Sequence, residues 1–380
     1  MKKLKVFMFC QVIDHLGDIG VCLRLARSLQ ALGDWDLHIF CNQADKARLL
    51  IDPQVDRVDW HAWPTDEAYL QHVPEVILCA FGCDLPLGVR RQLELQRKNP
   101  ALPKTLWIHL DYLSAEPWVE DFHGLSSYKP DGLIQQFYFP GFGEKTGGLP
   151  GDPPSLLPSN QAQTSALRVF AYVYKHAPLM TWLHALNLPI DLLTTEDLAN
   201  HWQTARPTTC VTTTSCEQHD EVGQARIQFK TLAQIQFKTL APCTQIAWDH
   251  TMLSCELLFV RGEDSWVQAM RSGIPWLWQP YPQELATMRA KLQSLLNIMS
   301  EQLRKYPHWP LWRDAQLAWG LGEEPDLKDF TNLCLELGSW QAMARAWAAY
   351  CNRLPRLDQG LCHMIDKHRS ALNAYNVRLC

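Results

Sequence analysis

The sequence predicts an α/β protein built from two Rossmann-like domains that face each other across a cleft, and three observations predict it. A chain of 380 residues exceeds what one hydrophobic core comfortably serves, so two domains are expected. Short apolar runs of the kind buried in parallel sheets alternate with helix-period segments before residue 150 and again from Leu167. Between these halves, Pro150, Gly151, Pro153, Pro154 and Pro158 crowd a stretch without periodicity, the composition of a linker. The domains are therefore placed at 1–150 and 167–380, with a linker at 151–166 and the last helices crossing back onto the first domain.

In order along the first half, strands are expected at Val6–Ile13, Leu37–Cys41, Val76–Phe81, Leu106–Leu110 and Phe137–Phe139. Cys22, Leu25, Ala26 and Leu29 recur at helical spacing between the first two strands, and Gly33 supplies the stop, giving a β-α-β unit. The second half restarts with a strand at Leu167–Tyr172, a helix at Leu179–Leu186 and a strand at Ile190–Thr194. Later strands fall at Leu257–Val260 and Ile274–Trp278, and the pattern beyond Asp326 is mostly helical, including Trp340–Leu354. The heptapeptide Ile-Gln-Phe-Lys-Thr-Leu-Ala occurs at 227–233 and again at 235–241. An even offset keeps strand faces in phase, so the extra copy is absorbable as a bulge or longer loop.

Composition excludes several functional classes. With 35 basic and 40 acidic residues the formal charge is −5, which leaves no electrostatic footprint for nucleic acid or an anionic membrane surface. The apolar run Val6–Cys10 is cut by Gln11 and Asp14, too early for a signal segment or a membrane span. The 13 cysteines are scattered without a Cys-x-x-Cys pair, as suits reduced, buried thiols in a cytoplasmic protein. The same scatter rules against a zinc cluster, and the 14 histidines form no His-Glu-x-x-His or His-rich tract, so no structural metal is expected; no cofactor is expected either. Most of the 16 tryptophans are expected in packing, with some free to stack on a flat ligand.

Two segments carry chemistry. In Phe259-Val-Arg-Gly-Glu-Asp-Ser265 an apolar run ends in a glycine turn bearing three charges. Ser265 opens a helical pattern with Val267, Met270 and a Gly273 stop, so the charges lie between a strand's carboxyl end and a helix N-terminus, where open α/β sheets bind ligands. Free first-turn N–H groups and the positive end of the helix dipole suit a phosphate. Glu263 and Asp264 then face a sugar hydroxyl or act through backbone N–H; the alternative is a plain N-cap at Asp264 or Ser265 with Arg261 and Glu263 solvated. In Asp14-His-Leu-Gly17-Asp18-Ile-Gly20, two glycines allow close backbone approach and two carboxylates converge if a helix begins near Asp18. Here the alternative is that Asp18 only caps the helix and Asp14 ends the strand. Both segments sit at strand carboxyl ends in separate domains, which is the GT-B arrangement of nucleotide-sugar glycosyltransferases. Gly141-Phe-Gly143 through Gly148 matches neither a dinucleotide fingerprint nor a Walker loop and reads as a glycine-rich surface turn. No Gly-x-Ser-x-Gly elbow is present.

These segments, taken with Arg24-Leu-Ala-Arg27, Ala80-Phe-Gly-Cys-Asp-Leu-Pro86, Trp107-Ile-His-Leu-Asp-Tyr-Leu-Ser-Ala-Glu116, Phe139-Pro-Gly-Phe142, Thr146-Gly-Gly-Leu149 and Tyr281-Pro-Gln283, resemble the EarP family. Those proteins are protein-arginine rhamnosyltransferases of elongation factor P. The resemblance implies a GT-B fold, dTDP-β-L-rhamnose as donor, inversion at the anomeric carbon without a metal, and elongation factor P as the protein acceptor, readied for translation of polyproline stretches. It also implies roles: Asp18 as general base with Asp14 beside it, Glu263 as the third critical carboxylate, and Asp264 and Ser265 at the pyrophosphate. Phe170, Tyr172, Gln245 and Trp248 correspond to the thymidine pocket. Apart from the resemblance, the charge of Arg261 suits a leaving diphosphate, and Gly17 is assigned to the donor side with it.

Three departures stand out. Pro242 replaces a family phenylalanine of the base pocket, with Trp248 as the compensating ring. His109-Leu-Asp111 replaces Asn-Leu-Glu, and Gln279-Pro280 replaces His-Ile, so acceptor docking is expected at these positions. Two other readings compete: a degenerate GT-B protein that only binds a translation factor, which Pro242 favours, and a nucleotide-sugar epimerase, which needs no protein acceptor.

Overall fold

The computed structural model describes residues 3–13, 17–67, 70, 72–99, 102, 104–151, 166–204 and 235–377, with side chains placed as far as 370. The linker expected at 151–166 and the first heptapeptide copy at 227–233 fall almost wholly outside these residues.

The first unit is a seven-stranded sheet of β1 (Leu4–Cys10), β2 (Trp35–Cys41), β3 (Asp59–Ala62), β4 (Val76–Ala80), β5 (Leu106–Leu110), β6 (Ser126–Tyr128) and β7 (Ile134–Tyr138), in the order β3-β2-β1-β4-β5-β7-β6. All pairings are parallel except β6 with β7. Its helices are α1 (Gly17–Leu32), α2 (Ala44–Ala47), α3 (Leu87–Lys98) and α4 (Trp118–Phe122). The central strands are buried on both faces, which is why they read as continuous apolar runs. Edge strands β3 and β6 carry polar residues and give no such signal.

The second unit is a parallel five-stranded sheet of β8 (Leu167–Tyr172), β9 (Ile190–Thr195), β10 (Ile235–Leu240), β11 (Leu257–Arg261) and β12 (Trp276–Gln279), in the order β10-β9-β8-β11-β12. Around it lie α5 (Leu179–Ala185), α6 (Glu196–Thr204), α7 (Gln245–Leu253), α8 (Glu263–Ser272), α9 (Leu285–Leu303), α10 (Trp309–Leu321), α11 (Leu327–Leu335) and α12 (Leu337–Cys351). The second heptapeptide copy supplies edge strand β10. Six fully buried tryptophans (Trp182, Trp276, Trp312, Trp319, Trp340 and Trp347) fill this core, contributing large apolar area with edge-to-face contacts.

Helix α13 (Leu357–Val377) leaves the second unit and packs on α1, placing Leu357, Leu361 and Ile365 in the first core. The crossing is anchored where Leu149 N–H donates to the Pro355 carbonyl and Leu357 N–H to the Leu149 carbonyl. Here the glycine-rich segment departs from the surface turn expected of it. Gly147 and Gly148 are buried, and a Cβ on Gly148 would lie 1.9 Å from the Pro355 carbonyl oxygen. These glycines serve close chain approach at the joint. The two facing parallel-sheet units form the GT-B arrangement. Among the described residues the cysteines are free, and no helix is long and apolar enough to cross a membrane.

Candidate active site

The site begins where β1 ends. Gly17 opens α1, and Asp18 in its first turn is buried at the domain boundary. The Ile13 N–H donates to Asp18 Oδ2 at 3.0 Å and the Tyr112 hydroxyl to Oδ1 at 3.3 Å, fixing the carboxylate in one orientation. Asp14 lies outside the described residues.

Tyr112 itself rests on a strained support. Its ring stacks on Phe81 with centroids 4.5 Å apart, and Phe81 adopts φ +59°, a left-handed conformation that a bulky residue rarely takes. The next residue, Leu113, donates its N–H to Glu263 Oε2 at 2.8 Å. The loop after β5 therefore ties together the two carboxylates, Asp18 from the first unit and Glu263 from the second.

Glu263 opens α8, and Gly262 is the N-cap at φ +69°, ψ 160°, a backbone region open essentially to glycine alone. The helix thus starts two residues before the expected Ser265, and the cap is neither Asp264 nor Ser265. The cause is the sharp exit from β11, which only Gly262 permits. No side chain caps this N-terminus among the described residues, so its first-turn N–H groups remain available. Burial pushes the Glu263 carboxyl up to about 8; the Leu113 N–H opposes this, while the charges of Asp18, Asp111 and Asp264 reinforce it. Its Oε1 is buried and has no hydrogen-bond partner among the described residues.

A cleft of about 810 Å³ runs between the units past Gly17, Tyr172, Trp248, Arg261, Gly262 and Ser265. Arg261 lies over two rings, with its guanidinium carbon 4.6 Å from the Tyr172 centroid and 4.4 Å from that of Tyr174. It also donates to the Tyr172 hydroxyl at 3.3 Å. Trp248 meets Phe170 and Tyr172 edge-on at 5.1 and 5.0 Å, and its Nε1 donates to Ser265 Oγ. Phe170 is fully buried and packs against Trp248. Pro242 lines the cleft, whose aromatic surfaces are Trp248, Tyr172 and Tyr174.

Gln245 and Asp264 are occupied by the protein itself. Gln245 Nε2 donates to the Gly20 carbonyl and to Asp264 Oδ2, both at 2.8 Å. Arg24 on α1 donates to both Asp264 oxygens, at 2.6 and 3.0 Å. Gln279 is buried, its Oε1 accepting from the Tyr174 N–H, so it cannot mark an acceptor docking surface as the sequence suggests. His109 packs edge-on against Phe137. Among the described residues the grouping with metal-ligand spacing is Asp36, His38 and Asp59, on β2 and β3 at the edge of the first sheet.

Sequence reasoning missed Tyr112, Leu113 and Arg24 as site residues. The rule that singled out the loops after β1 and β11 applies equally to Asp111-Tyr112-Leu113 after the apolar strand Leu106–Leu110, and would have found the first two. Arg24 lies on the helix face opposite the apolar stripe, and no local signal shows that this face meets a second domain.

The sequence model of the family described as elongation factor P (EF-P) rhamnosyltransferase EarP matches residues 6–366. A protein-arginine rhamnosyltransferase of Pseudomonas putida is 32% identical over 93% of this chain and 91% of its own length. Among solved structures, one described as the structural basis for EarP-mediated arginine glycosylation of translation elongation factor EF-P superposes with a TM-score of 0.55 at 21% identity, covering 96% of this chain and 99% of that one. The spinosyn rhamnosyltransferase SpnG follows with a TM-score of 0.53 at 13% identity, covering 96% and 100%. The structural likenesses speak to the fold, and the matches along the sequence speak to the family: this chain belongs to the EarP family of elongation factor P rhamnosyltransferases.

Proposed function

We propose that the cleft transfers L-rhamnose from dTDP-β-L-rhamnose to an arginine side chain of elongation factor P, with inversion and without a metal. The observation that carries this reading is that one loop, through Tyr112 and Leu113, holds both Asp18 of α1 and Glu263 of α8 beside the uncapped N-terminus of α8. That pairing offers a place for a cation next to a place for a diphosphate.

Arginine is a weak nucleophile because its guanidinium is protonated and delocalised. Asp18 localises density on one nitrogen by accepting its hydrogen bond, and takes the proton as the C–N bond forms. The bond from the anomeric carbon to the phosphate oxygen breaks, and its electron pair leaves with dTDP. The carbon brings positive character and one proton departs, so the glycosylated guanidinium remains a cation. Amides at the start of α8 and the Arg261 guanidinium stabilise the charge growing on the leaving diphosphate. Glu263, protonated at neutral pH, orients a sugar hydroxyl, and the loop after β5 holds it in register with Asp18. Positioning for attack opposite the departing phosphate supplies much of the advantage. Trp248 and Tyr172 offer ring surface to the base, in place of the ring that Pro242 removes.

The test is the product. NMR of the glycopeptide released after reaction with elongation factor P and dTDP-β-L-rhamnose is expected to show an α-anomeric rhamnose on an arginine nitrogen. A retained β-anomer, or rhamnose on another residue, would overturn the reading.

A further inference from the structure

Arg24 holds two carboxylates of the other domain at once. Its Nε and Nη2 donate to the two oxygens of Asp264 at 2.6 and 3.0 Å, and its Nη1 and Nη2 to the two oxygens of Asp249 at 2.9 and 3.2 Å. Arg24 belongs to α1 of the first unit, whereas Asp249 and Asp264 belong to α7 and α8 of the second. All of this is packed closely. A Cβ on Gly20 would lie 3.0 Å from Asp264 Oδ2, and one on Gly151 would lie 2.5 Å from the Arg24 stem. Gln245 adds a further bond to Asp264, Arg27 holds the Gln245 carbonyl, and Asp56 holds Arg27.

Asp264 lines the cleft and Arg24 does not, so Arg24 acts on a ligand only through Asp264. Asp264 is also the second residue of α8. Its carboxylate therefore sits beside the amides that, on the donor reading above, receive a diphosphate. An uncompensated carboxylate there would repel the ligand at short range in a partly desolvated site. A planar guanidinium satisfies two carboxylates in fixed directions, which a lysine ammonium cannot do.

We propose that Arg24 is a positioning residue for the nucleoside diphosphate: it turns the Asp264 carboxylate toward α1 and holds it paired to a cation, so the α8 N-terminus accepts the diphosphate only when the first domain is docked. This rests on the donor reading and adds that the acceptor-side domain contributes to donor affinity without touching the donor. Asp264 then serves the diphosphate through its backbone N–H.

Calorimetric titration of the full chain with dTDP tests it, with folding of each variant checked by circular dichroism and melting temperature. Arg24→Ala is expected to weaken dTDP binding by about tenfold or more, equivalent to about 1.4 kcal/mol. Adding Asp264→Asn removes the exposed charge and is expected to bring affinity back to within about threefold of the unaltered protein. A residue that merely stapled the domains would show no such rescue. If Arg24→Ala does not fold, Arg24→Lys with and without Asp264→Asn is compared in the same way, since lysine keeps a cation but loses the fork. Unaltered affinity in the Arg24 variant, or a double variant binding no better than the single one, overturns the proposal. Unaltered protein that fails to bind dTDP overturns the donor reading and this proposal with it, an outcome distinct from failure of the Arg24 variants alone.

Discussion

At the scale of single residues, Asp18 and Glu263, the two carboxylates of the proposed mechanism, differ in environment. Asp18 takes hydrogen bonds from Ile13 and Tyr112, whereas Glu263 has one oxygen, Oε1, buried and unanswered among the described residues. Asp18→Asn keeps the shape and removes the base, so turnover is expected to fall by a factor on the order of 10² or more. Donor affinity should stay near that of the unaltered protein, and steady-state kinetics with dTDP titration would check both. For Glu263 the folded state keeps a proton to about pH 8, against an ordinary value of 4.5. Between those values unfolding releases that proton, so the group's contribution to stability is full below about 4.5 and is lost as pH rises through about 8. Melting temperature measured across that window should decline with pH more steeply in the unaltered protein than in Glu263→Gln; equal slopes would contradict the assignment. The sequence made both carboxylates legible because charges at the end of an apolar run stand out. Tyr112 did not stand out, since its role depends on a contact with Asp18 across 94 positions of chain and on the strained backbone of Phe81.

At the scale of elements, α8 is the helix proposed to receive the donor, and its geometry depends on Gly262. A Cβ at Gly262 meets no neighbouring atom, yet its φ of +69° makes any side chain strained, at a cost of about 1–3 kcal/mol. Gly262→Ala is therefore expected to shift the start of α8 and weaken dTDP binding more than it lowers the melting temperature. Hydrogen exchange gives a parallel check: dTDP should protect the amides of 262–266. Protection appearing at 141–148 instead would move the donor site to the glycine-rich joint. Elements with strong internal signals were readable in advance, among them β4, β5 and β11, whose buried residues are all apolar or nearly so. The polar edge strands β3 and β6 gave no period-2 apolar face to read. The start of α8 was misplaced because a glycine N-cap carries no hydrogen-bonding side chain.

At the scale of the whole molecule, function depends on two units held in register by α13, by the joint at Gly148 and Pro355, and by Arg24. None of these contacts is local in sequence: Arg24 and Asp264 are separated by 240 positions, so patterning predicts the units and the crossing helix but not the ties between them. A guanidinium alone offers little contact area to offset the entropy of association. Transfer should accordingly be far more efficient on elongation factor P or its folded N-terminal domain than on a short arginine peptide from its exposed loop. Comparable rates on the peptide would confine recognition to the carboxylate pocket.

The most direct measurement of the central claim is the intact mass of elongation factor P after incubation with dTDP-β-L-rhamnose and either the unaltered protein or its Asp18→Asn variant. The account predicts a gain of one deoxyhexose, located to an arginine by fragmentation, that is complete with the unaltered protein and nearly absent with the variant in the same time. No mass gain with the unaltered protein, or an equal gain with both, would contradict it.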